Sequence, residues 1–568
     1  MKKIFLSLMI IFNGCQNSAE SSFHSLSQAF ISWYYKYHPV ESTRFGMEKY
    51  HEYFRLFGNS ENEEYVADIS RFIIELSQID ATRLSLEERI DYHILYSHLE
   101  KMRYVINDIR PWEWNPLWAL DEISEGLFFL SERSEINMDD RVNAVHGRIK
   151  LVPEILNLSK EMMISHSPFH IKYGNNRIDA LILLIDQLPL KLHSDNMTLD
   201  EIDKSILICK EALLNYKKWM NQYSIRMPIV QFPLNLKLSD QGFHFFVGEK
   251  YFPEHVYELA DKKRIPAQNR IFQLAFPIYL AENDEPVWLD RDDTLEVIHW
   301  TIDFIRNKPE NQVSFSGILS HFYKSISYFE EYTNSKGFIP KNVSKRVKLA
   351  FAPRYIHTIS NVVLFDHHPK KYNSEILYYI KHNENDGGLF PLTSHEIDLI
   401  NARNIVPGRS VQIAHAQKYS SSLRYMFPDP INEAGWQIYA GQVVFNEYFG
   451  DWEDEYHILR MKEELMVICQ AIIEEEYYSG NMVRKDVLSF IREQAFLNDS
   501  EAEELMAQSE LNYFSGTKAF IGMMEINSLL NEYKKKDRER FQIIEFHKKI
   551  LENGIIPFDQ LKKKLLSL

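Results

Sequence analysis

A mainly α-helical fold is predicted for this chain, on three observations. Apolar residues recur every three or four positions along most of its length. Helix-opening signatures precede several of these periodic runs. No Pro-, Gly- or Ser-rich linker divides them, which argues for one large helical unit with a small β element.

The first amphipathic run is Phe23, Leu26, Phe30, Trp33, Tyr34 and Tyr37, and Pro39 stops it. Ser85-Leu86-Glu87-Glu88 is a capping box, followed by the apolar set Ile90, Ile94, Leu95 and Leu99. Thr198-Leu199-Asp200-Glu201 and Ser500-Glu501-Ala502-Glu503 carry the same signature, and from Met461 to the end the helical period is almost unbroken. Two stretches depart from it. Leu234, Leu236 and Leu238 alternate with polar residues and turn through Asp240-Gln241-Gly242 into Phe243 to Val247, which predicts a hairpin. Lys348 to Asp366, β-branched and aromatic with Pro353 inside, predicts one or two short edge strands. The aromatic run from Pro111 through Trp112, Trp114 and Trp118 reads as packing, with groove lining as the alternative.

The chain is 25% charged with a net charge of −16, and no basic face stands out, so nucleic acid is excluded as a partner. The basic run Lys534 to Arg540 is interleaved with acids and reads as a solvated helix surface. At the N-terminus, Lys2 and Lys3 precede an apolar stretch from Ile4 to Phe12, then Asn13-Gly14-Cys15. That stretch is too short to span a bilayer as a helix. Residues 1–15 therefore read as a signal peptide ending in a lipobox-like junction, with Cys15 as the lipidated residue, although Phe12 and Asn13 fit such a junction poorly. Residues 16–22 read as a tether and 23–568 as the body, held at a bacterial membrane, the outer membrane first, facing periplasm or cell surface. Cys209 and Cys469 then remain, too few for a disulfide framework, and read as core thiols.

The most telling segment is Asn404-Ile405-Val406-Pro407-Gly408-Arg409 with Ala434-Gly435-Trp436 downstream. It has the frame of a His-Glu-x-x-Pro-Gly-His motif followed by Glu-Gly-Trp, with every metal ligand replaced. Further elements match in order: Tyr37 to Gly46, Gly248-Glu249-Lys250-Tyr251-Phe252, Gln412 to Ala416, and Phe546-His547 with Gly554, Pro557, Phe558 and Leu561. Taken together, the chain resembles a bacterial family of zinc-hydrolase-like proteins, often lipoproteins, classed as domain of unknown function 885 and similar to gluzincin-type metallopeptidases.

The resemblance implies a large helical, metallopeptidase-like body with a deep groove, and a degenerate zinc-site region at 395–480. In intact members it implies zinc held by two histidines and a glutamate, with a second glutamate as general base. Catalytic zinc needs three protein ligands and an open position, so that bound water ionises near neutral pH. Here the histidine positions hold Arg403 and Arg409, the base position Asn404 and the third-ligand position Ala434. Arginine has no lone pair to offer a metal, and alanine has no donor atom. An Asp-x-x-x-His pair of the family maps to Glu474 and Tyr478, and Ser515-Gly516-Thr517 with Phe520 replaces a Pro-Gly-Gln…Tyr element. Pro407, Gly408, Gly435, Trp436 and Tyr439 remain as scaffold.

The expected function is an exported, inactive homologue of a zinc metallopeptidase, without a cofactor, binding a peptide or anionic ligand in the old groove. Arg403 and Arg409, on adjacent helical turns, would pair with a ligand carboxylate, near His415, Glu433, Glu474 and Tyr478. The structural alternative has them ion-paired with Glu433 or Glu474. A rearranged active hydrolase would use His395, Glu396 and His415, with His395 on roughly the same helical face as Arg403; a partner-docking lipoprotein is the third reading. Asp366-His367-His368 reads as loop histidines rather than metal ligands.

Overall fold

The computed structural model describes residues 2–56, 58–133, 135–192, 199–230, 242–283, 291–340, 346–353, 362–366, 375–381, 389–447 and 454–566. It is 80% helical with two small sheets, so the mainly α expectation holds. One helix runs Lys2–Tyr37, through Cys15 and the 16–22 stretch. Pro39 does interrupt it, and opens the next helix, Pro39–Arg44, where a missing N–H costs nothing.

The apolar periodicity of the sequence sorts into two clusters. Helices Leu117–Glu132, Met138–Met162, Pro168–Lys191 and Leu199–Tyr223 pack around Leu120, Ile123, Leu127, Ile149, Val152 and Tyr216. The larger cluster is centred on helices Pro253–Glu282, Pro430–Glu447, Asp454–Tyr478 and Ser515–Asp537 and takes in the aromatic face of the first helix. Cys209 and Cys469 are both buried free thiols, one in each cluster. Trp112 and Trp114 are buried in the larger core, so packing explains that aromatic run. The 534–540 run is largely solvated.

The bundle is joined to the N-terminal segment by Arg148, whose side chain is fully buried. It donates to the carbonyls of Tyr53 (3.0 Å), Gly126 (2.6 Å) and Pro39 (3.1 Å) and to Thr43 Oγ1 (2.7 Å). A planar fork with five donors can gather acceptors from several segments at once.

Strands β1 (Gln312–Ser314) and β5 (Leu389–Thr393) pair antiparallel. The other sheet has the order β2-β4-β3, with β2 (Arg346–Phe351) parallel and β3 (Val362–Asp366) antiparallel to β4 (Glu375–Ile380). The two strands expected within 348–366 are therefore both edges, and Pro353 follows β2 where no ladder donor is needed. Ile376 to Ile380 are buried without alternation, as a central strand covered on both faces requires.

Four expectations need correction or fall outside the described residues. The second arm of the expected hairpin is a short helix, Phe243–Phe246, which places Phe243 in the core; Leu234 to Gln241 lie outside the described residues. The box at Ser85 is present, but the later one is set by Asn498, whose side chain accepts from Glu501 N, rather than by Ser500. Asparagine caps as well as serine, so spacing alone chose the wrong register. Thr198, His367 and His368 are outside the described residues.

Replacing Arg148 with Leu should lower stability by on the order of 3 kcal/mol, because several buried acceptors lose a charged donor together. Urea denaturation monitored by circular dichroism measures it.

Candidate functional site

The helix Ser394–Asn404 opens with a capping box: Thr393 Oγ1 accepts from Glu396 N, and Glu396 Oε2 accepts from Thr393 N. Glu396 also accepts from Arg306 Nε at 2.9 Å, so its carboxylate is committed twice. His395 is buried with its ring 4.0 Å from that of Tyr456. Eight residues separate it from Arg403, a rotation of about 80° on a helix, so the shared face expected for these two is not present.

Arg403 and Arg409 do not occupy adjacent turns of one helix. The first helix ends at Asn404, the next starts at Arg409, and the break contains a cis Val406–Pro407 bond. Gly408 packs so closely against the preceding turn that a Cβ would lie 1.8 Å from the Arg403 carbonyl oxygen. Trp436 Nε1 closes the break from a separate helix, donating to the carbonyls of Pro407 (3.1 Å) and Gly408 (3.2 Å).

Trp436 is positioned by its helix, Pro430–Glu447, which crosses Ser515–Asp537 glycine on glycine. A Cβ on Gly435 would come within 2.6 Å of the Gly522 backbone, and one on Gly522 within 2.2 Å of the Ile431 carbonyl oxygen. One turn on, the Tyr439 hydroxyl meets His547 Nε2 at 2.8 Å, while His547 Nδ1 donates to the Phe338 carbonyl at 2.5 Å. Burial pushes the His547 imidazole down to about 4, which keeps it neutral in this relay. Pro407, Gly408, Gly435, Trp436 and Tyr439 thus have a packing role each.

The charged residues of the site pair with one another. Arg409 Nη2 lies 2.7 Å from Glu433 Oε1, and Arg403 Nη1 lies 3.3 Å from Glu463 Oε1. The pairing with Glu433 follows one of the two structural alternatives read from the sequence. The pairing with Glu463 was missed, since nothing in its spacing marks it. Glu474 faces neither arginine. It is fully buried and caps Ser515–Asp537, accepting from Gly516 N (2.9 Å), Thr517 N (2.8 Å) and the hydroxyls of Ser509, Ser515 and Thr517. Burial raises its carboxyl even so. Tyr478 donates to the Ser509 carbonyl at 2.6 Å. Asn404 Nδ2 donates to the Ile400 carbonyl, and Ala434 is half-buried beside Glu433.

His415 is wholly buried; Nδ1 donates to the Val411 carbonyl at 2.9 Å and, among the described residues, Nε2 has no hydrogen-bond partner. Burial lowers its imidazole to about 4, with the Val411 bond opposing. It is a packed, neutral histidine. Among the described residues no three His, Cys, Asp or Glu side chains come together in a way that could hold a metal ion.

The sequence reading also missed groups that the fold brings near this site. Arg44 pairs with Glu41 at 3.6 Å and lies within electrostatic reach of Glu125 and Glu433. Asp429 caps the Trp436 helix by accepting from Asn432 N at 2.7 Å. Burial, and to a lesser extent Asp559 and Glu433, hold its carboxyl at about 6.

Residues 330–565 match the family described as "Bacterial protein of unknown function (DUF885)". The DUF885 match takes in the helix break, the glycine crossing and the Phe546-His547 segment, whereas Tyr37 to Gly46 and Gly248 to Phe252 lie outside it. The chain is similar in structure to a candidate lipoprotein of unknown function from Shewanella oneidensis, with TM-score 0.76, 18% identity, and coverage of 96% of this chain and 99% of that one. A candidate lipoprotein from Colwellia psychrerythraea gives TM-score 0.77 at 13% identity, covering 97% and 98%. These likenesses establish the fold. No curated protein matches the chain.

Gly435→Val should cost about 3 kcal/mol or prevent folding, because it drives two helix backbones apart; thermal denaturation measures it. Asp429→Asn keeps a capping oxygen and removes a titration. A carboxyl raised by folding favours the protonated native state, so the wild type should lose stability as pH rises from about 4 through 6. The Asn variant should lack that loss, and its melting temperature relative to wild type should climb over the same window.

Proposed function

We propose that this protein is an exported, lipid-anchored and catalytically inactive relative of zinc metallopeptidases, whose groove binds a peptide or another anionic ligand. One observation carries the reading. Where the resemblance places two zinc histidines, a general base and a third ligand, the chain has Arg403, Arg409, Asn404 and Ala434, and both guanidinium groups are neutralised by neighbouring glutamates. A dication cannot replace a cation that holds its own carboxylate, and none of the four residues supplies a ligand lone pair of the zinc-binding kind.

The anchor is inferred from Cys15 after a basic and apolar leader. Among the described residues no helix is long and apolar enough to cross a membrane, so a lipid supplies the attachment in this reading. The similarity to candidate lipoproteins supports it. The rearranged hydrolase has less support, since Glu396 is engaged by its helix cap and by Arg306, His395 packs on Tyr456, and His415 is enclosed.

Metal analysis of the purified full-length protein should find zinc far below one equivalent, with no cleavage of a mixed peptide library. A full equivalent of zinc together with cleavage would overturn this reading. Arg409→Ala should lower stability by no more than ~1 kcal/mol, as expected for a half-exposed ion pair.

A further inference from the structure

Away from the arginines, two ammonium groups converge on one aromatic ring without a carboxylate to balance them. Lys101, on the helix Leu86–Tyr104, places Nζ 4.8 Å from the centroid of Phe246. Lys518, in the first turns of Ser515–Asp537, places Nζ 5.9 Å from the same centroid and donates to the Tyr513 carbonyl at 2.6 Å. Both lysines and the ring are half-buried. Among the described residues neither ammonium has an ion-pair partner.

The acids nearest in effect to Lys518 are Glu474 and Asp429, and both are occupied in capping helices. Neither can swing across without opening a helix end. The like charges therefore act on each other: burial first, then Lys101, lower the Lys518 ammonium to about 7, and burial lowers Lys101 as well. His98, beside Lys101, is pushed down to about 3, chiefly by burial, and brings no charge at neutral pH. Two aromatic pairs lie alongside. Phe246 packs edge-on to Tyr513 at 5.4 Å, and Phe245 stacks on Tyr104 at 4.3 Å. Asp429 lies within electrostatic reach of both Lys518 and Glu433, which links the two lysines to the candidate site.

We infer that Lys101, Lys518 and Phe246 together bind an organic carboxylate with an apolar or aromatic flank, the free C-terminus of a peptide or a small aromatic acid. A monoanion there would offset the repulsion between the two cations while its flank covers the rings. A compact dianion such as phosphate would meet the same cations but lose its hydration against an aromatic wall. The inference rests on the groove being a binding site, and it names the part of the ligand that the groove recognises.

Calorimetry on the full-length chain in detergent with EDTA tests it, using N-acetyl-Ala-Ala-Phe, its C-terminal amide, phenylacetate, acetate and inorganic phosphate. The free-acid peptide or phenylacetate should bind saturably, and the response of each assigns the source. The amide and phosphate should bind at least about tenfold more weakly. Lys101→Met and Lys518→Met should each weaken the acid by about tenfold or more, with Lys101→Arg retaining it. Because a variant could misfold, NMR of 13C-dimethylated lysines in the wild-type protein provides a second readout. The Lys518 titration midpoint should rise when the acid is bound. Equal binding of acid and amide, binding unchanged in both Met variants, or a midpoint that does not move would overturn the inference. Zinc-dependent peptidase activity would sink the inactive reading alone, since these measurements exclude metal.

Discussion

The candidate site depends on the contact of Gly435 with Gly522. Two helix backbones meet there at a distance that admits no side chain on either face. That approach fixes the height of Trp436, whose indole N–H reaches the carbonyls exposed where the chain breaks between Asn404 and Arg409. It also sets Tyr439 against His547, which in turn holds the Phe338 carbonyl. An interhelical network therefore spans the region. Its parts are short-range and buried, where unmatched polar groups are costly, so they constrain one another strongly.

Around that frame the charged residues are spent locally. Glu396 and Glu474 cap helices, Asp429 caps the Trp436 helix, and Glu433 and Glu463 take the two arginines. A carboxylate that satisfies helix-terminal N–H groups is poorly placed to serve as a base or a metal ligand. The same bookkeeping makes the Lys101 and Lys518 ammonium groups stand out, because nearby acids are already engaged. Partial neutralisation by burial and mutual repulsion is what a fold does with cations that lack an ion-pair partner, as these two do among the described residues.

Much of the helical architecture was legible because amphipathic periodicity and the Ser85 box are local properties. The two edge strands around Pro353 were legible for the same reason. The hairpin reading failed at Phe243, where alternation beside a turn signal gave way to a short helix that buries an aromatic ring in the core. The Ser500 box failed because Asn498, two residues earlier, offered an equally good acceptor. Reading Arg403 and Arg409 on one helix failed because Pro407 and Gly408 end it, although both residues were in view.

The sequence by itself determined which chemistry each side chain of the candidate site can support, because a lone pair or its absence belongs to the side chain wherever it is placed. Arg403, Asn404, Arg409 and Ala434 carry that conclusion without coordinates. Only the tertiary structure decided which acid meets which base: Glu463 rather than Glu474 for Arg403, and none among the described residues for Lys101. Those pairings arise between elements far apart in the chain, and their geometry is set by how helices cross, which local patterning does not encode.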